Sequence, residues 1–230
     1  MIADSKFFGS RLCLFFIILH LIMQLAIEIL QKRFVKLWHT LSKVKSDTST
    51  IFTELIEHYG EPQRYYHNLT HITECLGHLD SLELPIQSQH VIELAIWFHD
   101  VIYATQAKDN ELQSAEFFQK RAIESGIEQA IIAKVYQMIV ATAHHQCAEQ
   151  DLITPTFLDI DLAILGAAPE RFAEYDKAIR KEYAWVPDMV YNPKRKQILS
   201  QFLQREQIYF TPELRAKYEA QARKNLSAIL

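Results

Sequence analysis

Hydrophobic positions recur at helical spacing along most of this chain. Between Met23 and Leu41, apolar residues return every three or four positions, with polar residues between them. The stretch from Val91 to Val101 repeats this spacing in a more strongly apolar form. Such stripes are typical of helices that face a common core, and no segment shows the alternation and turn residues of paired strands. The sequence therefore predicts a single all-α domain.

Capping residues and prolines predict where several helices begin and end. Asp47 or Thr48 is expected to cap a helix that runs through residue 59, because a short polar side chain can accept a hydrogen bond from the first turn. Pro155 is expected in a loop, and Pro187 and Pro193 are expected to bracket a short linker. Further helices are expected over residues 67–82, 111–125, 127–143, 169–185 and from 212 onwards.

The first residues form a separate apolar segment. From Leu12 to Met23 the chain is apolar except for His20, and Lys6 and Arg11 precede this run. The run is short for a membrane span, which needs about 20 apolar residues, and no clear signal-peptide cleavage site follows it. An extension upstream of a true start at Met23 is the first interpretation, a membrane anchor the second and a secretion signal the third.

The domain is accordingly expected over residues 23–230, after an apolar extension of residues 1–22. The three cysteines have no CxxC spacing, which argues against a disulfide-stapled secreted protein. A cytoplasmic location is therefore expected. The alternative is attachment to a membrane, and only through residues 12–30.

Composition and charge limit the kinds of partner. Apolar residues make up 49% of the chain and charged residues 23%, which is typical of a globular protein. The net charge is −4, and the densest basic cluster is the short run of residues 194–196. Polymeric nucleic acid is not an expected partner, because its binding requires a more extended basic surface. A small anionic substrate is compatible with this charge if a bound metal supplies the positive charge.

A histidine and an aspartate stand together at the end of the apolar helix, as His99 and Asp100. An ionised aspartate is costly to bury without a partner, whereas imidazole and carboxylate together bind divalent metals. The alternative is that both side chains are simply exposed at the helix end, and for an isolated dipeptide this alternative is favoured. Other groups in the chain change that balance.

Three further pairs add potential metal ligands, in the order His67 and His71, then His144 and His145, then Asp159 and Asp161. On a helix, the spacing of the first pair places both histidines on one face. The two aspartates fall within an apolar stretch, where carboxylates need hydrogen bonds, cations or exposure. A polar helix face and helix capping are reasonable explanations of each pair alone, but less so of all together.

The order His, His-Asp, Asp on helices resembles the HD superfamily of metal-dependent phosphohydrolases. The segments YYHNLTHI, LAIWFHDVIY, DNELQSAEF, ATAHH, FLDIDLAILGA and AIRKEYAWV resemble, more narrowly, a bacterial family of predicted HD phosphohydrolases with an unassigned substrate. The resemblance covers roughly residues 25–227. It implies a helical fold and hydrolysis assisted by a bound metal.

The resemblance implies the metal ligands residue by residue. His71, His99, Asp100 and Asp161 match the four ligands of the family, with His71 fitting better than the earlier histidine and Asp161 better than the earlier aspartate. His144 or His145 would be an additional ligand, as in HD relatives that hold two metals. Histidine and carboxylate ligands admit manganese, iron, cobalt, nickel, zinc or magnesium as the divalent ion.

The resemblance also implies catalytic and substrate-binding residues. Asp100, Glu111 and His67 are the predicted catalytic groups, with Glu111 orienting water or acting as a base; a first-turn helix acid is the equal alternative for Glu111. Arg64, His67 and Tyr103 are predicted to contact the substrate, although a surface role for Arg64 is an equal alternative.

The expected function is hydrolysis of a small phosphoester, which includes nucleotides, by a metal-activated water. The first alternative is an oxygenase that uses two irons, based on the additional pair of histidines at residues 144 and 145. The second is a non-catalytic regulatory module in which the metal is structural. A structural site usually closes its coordination shell, so open positions beside the ligands would argue against that alternative.

Overall fold

The computed structural model of the protein describes residues 5–44, 47–148, 151 and 153–230. Every element in this part of the chain is helical, which confirms the all-α prediction. The elements are α1 (Ser5–Leu41), α2 (Thr48–Tyr59), α3 (Leu69–Asp80), α4 (Ile86–Phe98), α5 (Asn110–Glu124), α6 (Gln129–Ala141), α7 (Thr154–Asp161), a 3-10 turn (Leu162–Gly166), α8 (Pro169–Glu182), α9 (Asp188–Leu203) and α10 (Pro212–Ile229).

The helix starts follow local capping chemistry, with three corrections to the sequence prediction. Asp47 caps α2 by accepting a hydrogen bond from the backbone N–H of Thr50, as predicted. The third helix starts at residue 69, so His67 lies before it. Pro155 lies in the first turn of α7, where its missing N–H costs nothing. Pro193 lies inside α9, because a proline removes one helical hydrogen bond without always ending the helix.

An aromatic cluster joins α1 to α4 at the centre of the core. Phe34 and Trp38 of α1 are buried against Trp97 and Phe98 of α4. The ring centroids are 5.4 Å apart for Phe34 and Trp97 and 5.7 Å apart for Trp38 and Phe98, within the range of favourable aromatic pairs. Residues 91–98 of α4 are all buried. The next two residues, His99 and Asp100, therefore follow a helix whose last eight residues are buried in the core.

The N-terminal half of α1 differs from its core-facing half. The helix extends upstream of Met23, so this residue does not start a helix as expected, and Leu21, Ile22 and Leu25 are more than half exposed. Among the described residues, no helix contains a stretch long and apolar enough to cross a membrane. Residues 1–4 of the predicted extension lie outside the described residues.

The 3-10 turn after α7 packs so closely on α10 that it requires a glycine. A Cβ atom on Gly166 would lie 2.6 Å from Cβ of Tyr218 and 2.7 Å from its backbone oxygen. We therefore expect Gly166→Ala to lower the free energy of unfolding by about 1–3 kcal/mol through overpacking. Gly77→Ala is the control, because a Cβ on Gly77 of α3 would meet no atom within 4 Å. It is expected to stabilise by about 0.5–1 kcal/mol. Urea unfolding measures both, and equal effects would contradict the close packing.

Candidate metal centre

Three helix ends meet where α4 leaves the core. The fourth helix brings His99 and Asp100 to its C-terminal end, α3 contributes His71 from its first turn, and α7 ends at Asp161. Both histidines are buried, at 2% and 1% side-chain exposure, and the two carboxylates are 18% and 14% exposed. The structure thus brings together all four residues predicted as the principal metal ligands.

The donor atoms of these four residues face one another at short range. Nε2 of His71 and Nε2 of His99 are 3.1 Å apart. Oδ2 of Asp100 lies 3.1 Å from Nε2 of His99, and Oδ1 of Asp161 lies 3.2 Å from Nε2 of His71 and 3.5 Å from Nε2 of His99. Donor atoms bound at about 2.0–2.2 Å from one ion are separated by about 3.0–3.6 Å. The spacing therefore fits a shared divalent ion.

The ring orientation of His99 supports the same conclusion. Its Nδ1 lies 2.9 Å from the carbonyl oxygen of Ile96, which can only accept a hydrogen bond. In the neutral ring the proton is therefore on Nδ1, and Nε2 presents a lone pair to the other donors, as in metal-bound histidines. Burial alone would lower the pKa of His99, but the carboxylates of Asp100 and Asp161 outweigh burial and raise the pKa well above its usual value. The two carboxylates therefore favour a positive charge at this position, either a proton or a cation.

Cys75 borders this cluster without joining it chemically. Its Sγ lies 3.7 Å from Nδ1 of His71, close enough for the sulfur to be a potential third type of donor. Burial raises the pKa of the thiol well above its usual value, with the nearby carboxylates adding to the effect. Because only the thiolate binds metals well, the cysteine is expected to remain a neutral, apolar neighbour.

The two aspartates of α7 point in different directions. Asp159 is fully buried, and its carboxylate accepts hydrogen bonds from the backbone N–H of Phe210 and from the backbone and hydroxyl of Thr211. Thr211 is the N-cap residue of α10, so Asp159 anchors the start of that helix. Asp161 is left to face the histidines. The preference for Asp161 as the ligand agrees with this geometry.

Of the two histidines after α6, only one approaches the cluster. Nε2 of His145 lies 3.0 Å from Oδ2 of Asp161, whereas His144 is exposed and has no described side-chain contact with the four donors. His145 has a φ of 47°, a left-handed backbone that non-glycine residues rarely adopt. Arg205 holds this turn by donating to the carbonyl oxygens of both histidines at 3.2 Å. The sequence pattern alone did not indicate Arg205.

A buried carboxylate, Glu182 of α8, organises the second part of the site. Its Oε1 accepts the backbone N–H groups of Tyr65, Tyr66 and His67 at 2.7–3.0 Å. Its Oε2 lies 2.7 Å from Nδ1 of His67 and accepts the hydroxyl of Tyr103 at 3.0 Å. The ring of Tyr103 stacks on His67 with centroids 4.1 Å apart. Sequence reasoning missed Glu182, although it lies within the AIRKEYAWV segment.

These contacts set the protonation of His67. Burial opposes a charge on the ring, but the carboxylates of Asp100 and Glu182 outweigh it and raise the pKa of His67 above its usual value. Burial likewise opposes ionisation of Glu182, yet the hydrogen bonds from His67 and the backbone keep its pKa below the usual value. The two carboxylates therefore favour the protonated form of His67.

The structure corrects the predicted role of Arg64. Its side chain is fully buried, and its guanidinium donates to Glu61 and to the carbonyl oxygens of His67, Asp100 and Val101. Every one of its nitrogens is engaged within the protein, so direct contact with a phosphate is not supported. Arg64 instead fixes the backbone that carries His67 and Asp100.

We expect Arg64→Met to lower the free energy of unfolding by about 3 kcal/mol, because it leaves buried carbonyl groups unpaired. Arg171→Met is the matched control. Arg171 makes an equally short pair with Glu74, at 2.8 Å, but is 30% exposed, and its loss is expected to cost at most about 1 kcal/mol. Chemical unfolding of metal-free protein gives both values. A similar cost for the two variants would contradict the positioning role.

The site opens into a cavity of about 1040 Å³. This volume is close to the upper end of the range found for small-molecule binding sites. His67, Asp100, Tyr103, Glu111, His145 and Asp161 are among the residues that line it. Glu111 lies in the first turn of α5, where an acid interacts favourably with the helix dipole, and it also lines the cavity. The structure is thus compatible with both predicted roles of Glu111. The ligand cluster is thus not closed on all sides, and a substrate can reach it.

Comparison with family models, with curated proteins and with solved structures found no match for this chain.

Proposed function

We propose that the protein is a metal-dependent hydrolase of a small phosphoester, of the HD type that its motifs resemble. One observation carries the proposal: two histidines and two carboxylates converge within 3.1–3.7 Å at the edge of a large cavity. Four donors leave two positions open to water and substrate on an octahedral ion, and Asp100 and Asp161 line the cavity from which these positions would be reached. Nitrogen and oxygen donors together favour manganese, iron, cobalt, nickel or zinc over magnesium, which prefers oxygen.

A divalent ion in this site supplies a positive charge that polarises the phosphoryl group and makes water a better nucleophile at neutral pH. In hydrolysis, the water oxygen forms a bond to phosphorus while the bond from phosphorus to the leaving oxygen breaks. His67 is placed to give a proton to that leaving oxygen, because Glu182 holds its Nδ1 and the ring lines the cavity. To Glu111, which lines the same cavity, we assign the role of orienting the water and accepting its proton.

The test combines metal content with activity. Protein purified with its metals is analysed by mass spectrometry and assayed against a broad panel of phosphoesters, for wild type and for Asp100→Ala. We expect bound metal and metal-dependent turnover in the wild type and the loss of both in the variant. His39→Ala is the control, since His39 is an exposed histidine that is not among the residues lining the cavity. Stoichiometric metal without turnover of any phosphoester would contradict the proposal.

The alternative that uses two irons has one observation in its favour. Asp161 presents Oδ1 to the buried histidines and Oδ2 to His145, as a carboxylate that bridges two ions would. However, Asp161 and His145 are the only protein donors that the described contacts provide for a second ion, which makes a single ion the better-supported arrangement. Two iron atoms per chain would reverse this order.

The free thiols of Cys75 and Cys147 agree with a reducing compartment, and we place the enzyme in the cytoplasm.

A further inference from the structure

Unpaired polar atoms cluster in the wall of the cavity. Among the described residues, three buried side-chain polar atoms have no hydrogen-bond partner: the hydroxyls of Tyr66 and Tyr191 and Nη2 of Arg195. All three residues line the same cavity. Buried polar groups in folded proteins are almost always paired, because an unpaired one costs about 1–3 kcal/mol. These three cavity-lining residues therefore have hydrogen-bonding capacity that the rest of the fold does not use.

Arg195 is held in place by its other contacts. Its Nε donates to Asp176 at 3.1 Å, and its Cζ lies 5.1 Å from the ring centroid of Tyr175. Only 12% of the side chain is exposed. These contacts orient the guanidinium while leaving Nη2 unused. The pattern differs from that of Arg64, whose nitrogens are all engaged.

The charges along the cavity wall are separated by sign. The acidic lining residues are Asp100, Glu111 and Asp161. The basic lining residues are Lys194, Arg195 and Arg205, all from α9 or the turn that follows it. Arg205 is occupied by the carbonyl oxygens of the two histidines after α6. The remaining basic side chains of the wall are therefore those of residues 194 and 195, of which Arg195 is paired through Nε with Asp176.

A continuous path of ring contacts joins this wall to His71, one of the four proposed metal ligands. The ring of His71 lies 4.8 Å from that of Tyr66, which lies 4.6 Å from that of Tyr175, over which Arg195 is placed. The distance between the His71 ring and the Arg195 guanidinium cannot exceed the sum of these three distances. One molecule that fills the cavity is therefore long enough to reach from one to the other. Apolar side chains such as Ile179 and Ile198 line the same cavity.

We infer that the substrate carries a second anionic group, a phosphate or carboxylate, which Arg195 and Tyr191 bind while its phosphoester lies at the metal cluster. The part of the molecule between the two groups is apolar or aromatic, to match the tyrosines and aliphatic residues of the wall. This inference rests on the proposed function and narrows its substrate class to phosphoesters with two anionic ends.

Binding of alkyl phosphates tests the second site directly. Calorimetry on the metal-loaded protein compares hexyl phosphate with hexane-1,6-diyl bisphosphate, and a series from butane to decane finds the best length. A hydrogen-bonded charge pair should make the best bisphosphate bind about tenfold or more tightly than its monophosphate. In Arg195→Gln this ratio is expected to fall to about two, the statistical value for two equivalent ends, while binding of the monophosphate is unchanged.

Two further variants distinguish a binding role from a folding defect. Tyr191→Phe removes only the unpaired hydroxyl and is expected to lower the ratio in part. Lys196→Gln removes a positive charge from the same helix, but Lys196 is not among the cavity-lining residues and bonds the backbone of Leu230; its ratio is expected to equal that of wild type. Thermal melts confirm that each variant is folded.

A ratio of about two in the wild type, a tenfold ratio that persists in Arg195→Gln, or no binding of any alkyl phosphate would each overturn the inference. These results are separate from the test of the proposed function. Suppose that monophosphates are hydrolysed in a metal-dependent way and that the affinity ratio is about two. The proposed hydrolase activity would then stand, and the proposed second anion site would be rejected.

Discussion

Asp161→Ala is expected to remove the bound metal and to lower phosphoester turnover by about a thousandfold. The carboxylate supplies one of the four donors, and its Oδ1 lies 3.2–3.5 Å from Nε2 of both buried histidines. Its loss removes one ligand and one of the two negative charges that would hold a divalent ion. Metal analysis and steady-state kinetics measure the two effects. A further readout needs no substrate: added metal should raise the melting temperature of wild type, because a ligand stabilises the state that binds it, and should not raise that of the variant.

Asp159→Ala provides a control from the same turn of the same helix. Its carboxylate accepts three hydrogen bonds that start α10 and makes no described contact with the metal cluster. We expect this variant to lose about 2–4 kcal/mol of stability, because three buried donors are left unpaired, and to keep its metal at a temperature where it is folded. If Asp159→Ala lost its metal while Asp161→Ala retained it, the assignment of the ligand would be wrong.

Glu182→Gln is expected to lower kcat by about a hundredfold or more while leaving the metal content unchanged. The carboxylate orients His67 through Nδ1 and also receives Tyr103 and three backbone N–H groups. A glutamine amide in its place would turn its NH₂ group, itself a donor, toward some of these donors. Because the amide is uncharged, it also would not stabilise a protonated imidazole of His67. Kinetics combined with metal analysis tests this, since a defect in metal binding would affect both measurements.

The matched control for this prediction is Glu174→Gln on the same helix. Glu174 is 71% exposed and pairs only distantly with Arg171, at 3.8 Å, so wild-type kinetics are expected. Equal losses in the two variants would show that the charge of α8, rather than the contact with His67, is responsible.

The stability effect of Glu182→Gln should depend on pH. The carboxylate's hydrogen bonds keep its native pKa below the ordinary value of 4.5, although burial opposes this. A lowered native pKa gives stabilisation that is complete above the ordinary value and is lost as pH falls through the native one. The difference in unfolding free energy between wild type and variant is thus expected to be largest near neutral pH and to shrink in acid. Urea unfolding over a pH series measures it, and a difference that grew in acid would contradict the assignment.

Local sequence chemistry determined where most helices lie and which residue types meet at the site. The apolar stripe of α4 leads directly to His99 and Asp100, and the cap at Asp47 works through a residue three positions away. Contacts of this kind lie within a few positions along the chain, so spacing and propensity reveal them. His71, His99 and Asp161 are far apart along the chain, and their meeting was predicted only from the resemblance to a known order of ligands.

Tertiary structure alone decided which polar side chains serve the site and which serve the fold. Glu182 meets His67 across 115 positions, and Asp159 meets Thr211 across 52. Arg64 reaches carbonyl groups 36 and 37 positions further along. No local pattern encodes such pairings, because they depend on how whole helices pack and on which buried donors remain without partners. For the same reason the sequence predicted Arg64 as a phosphate ligand, whereas in the folded protein Arg64 is buried and fully hydrogen-bonded. Arg195, which lines the cavity, keeps one nitrogen without a partner.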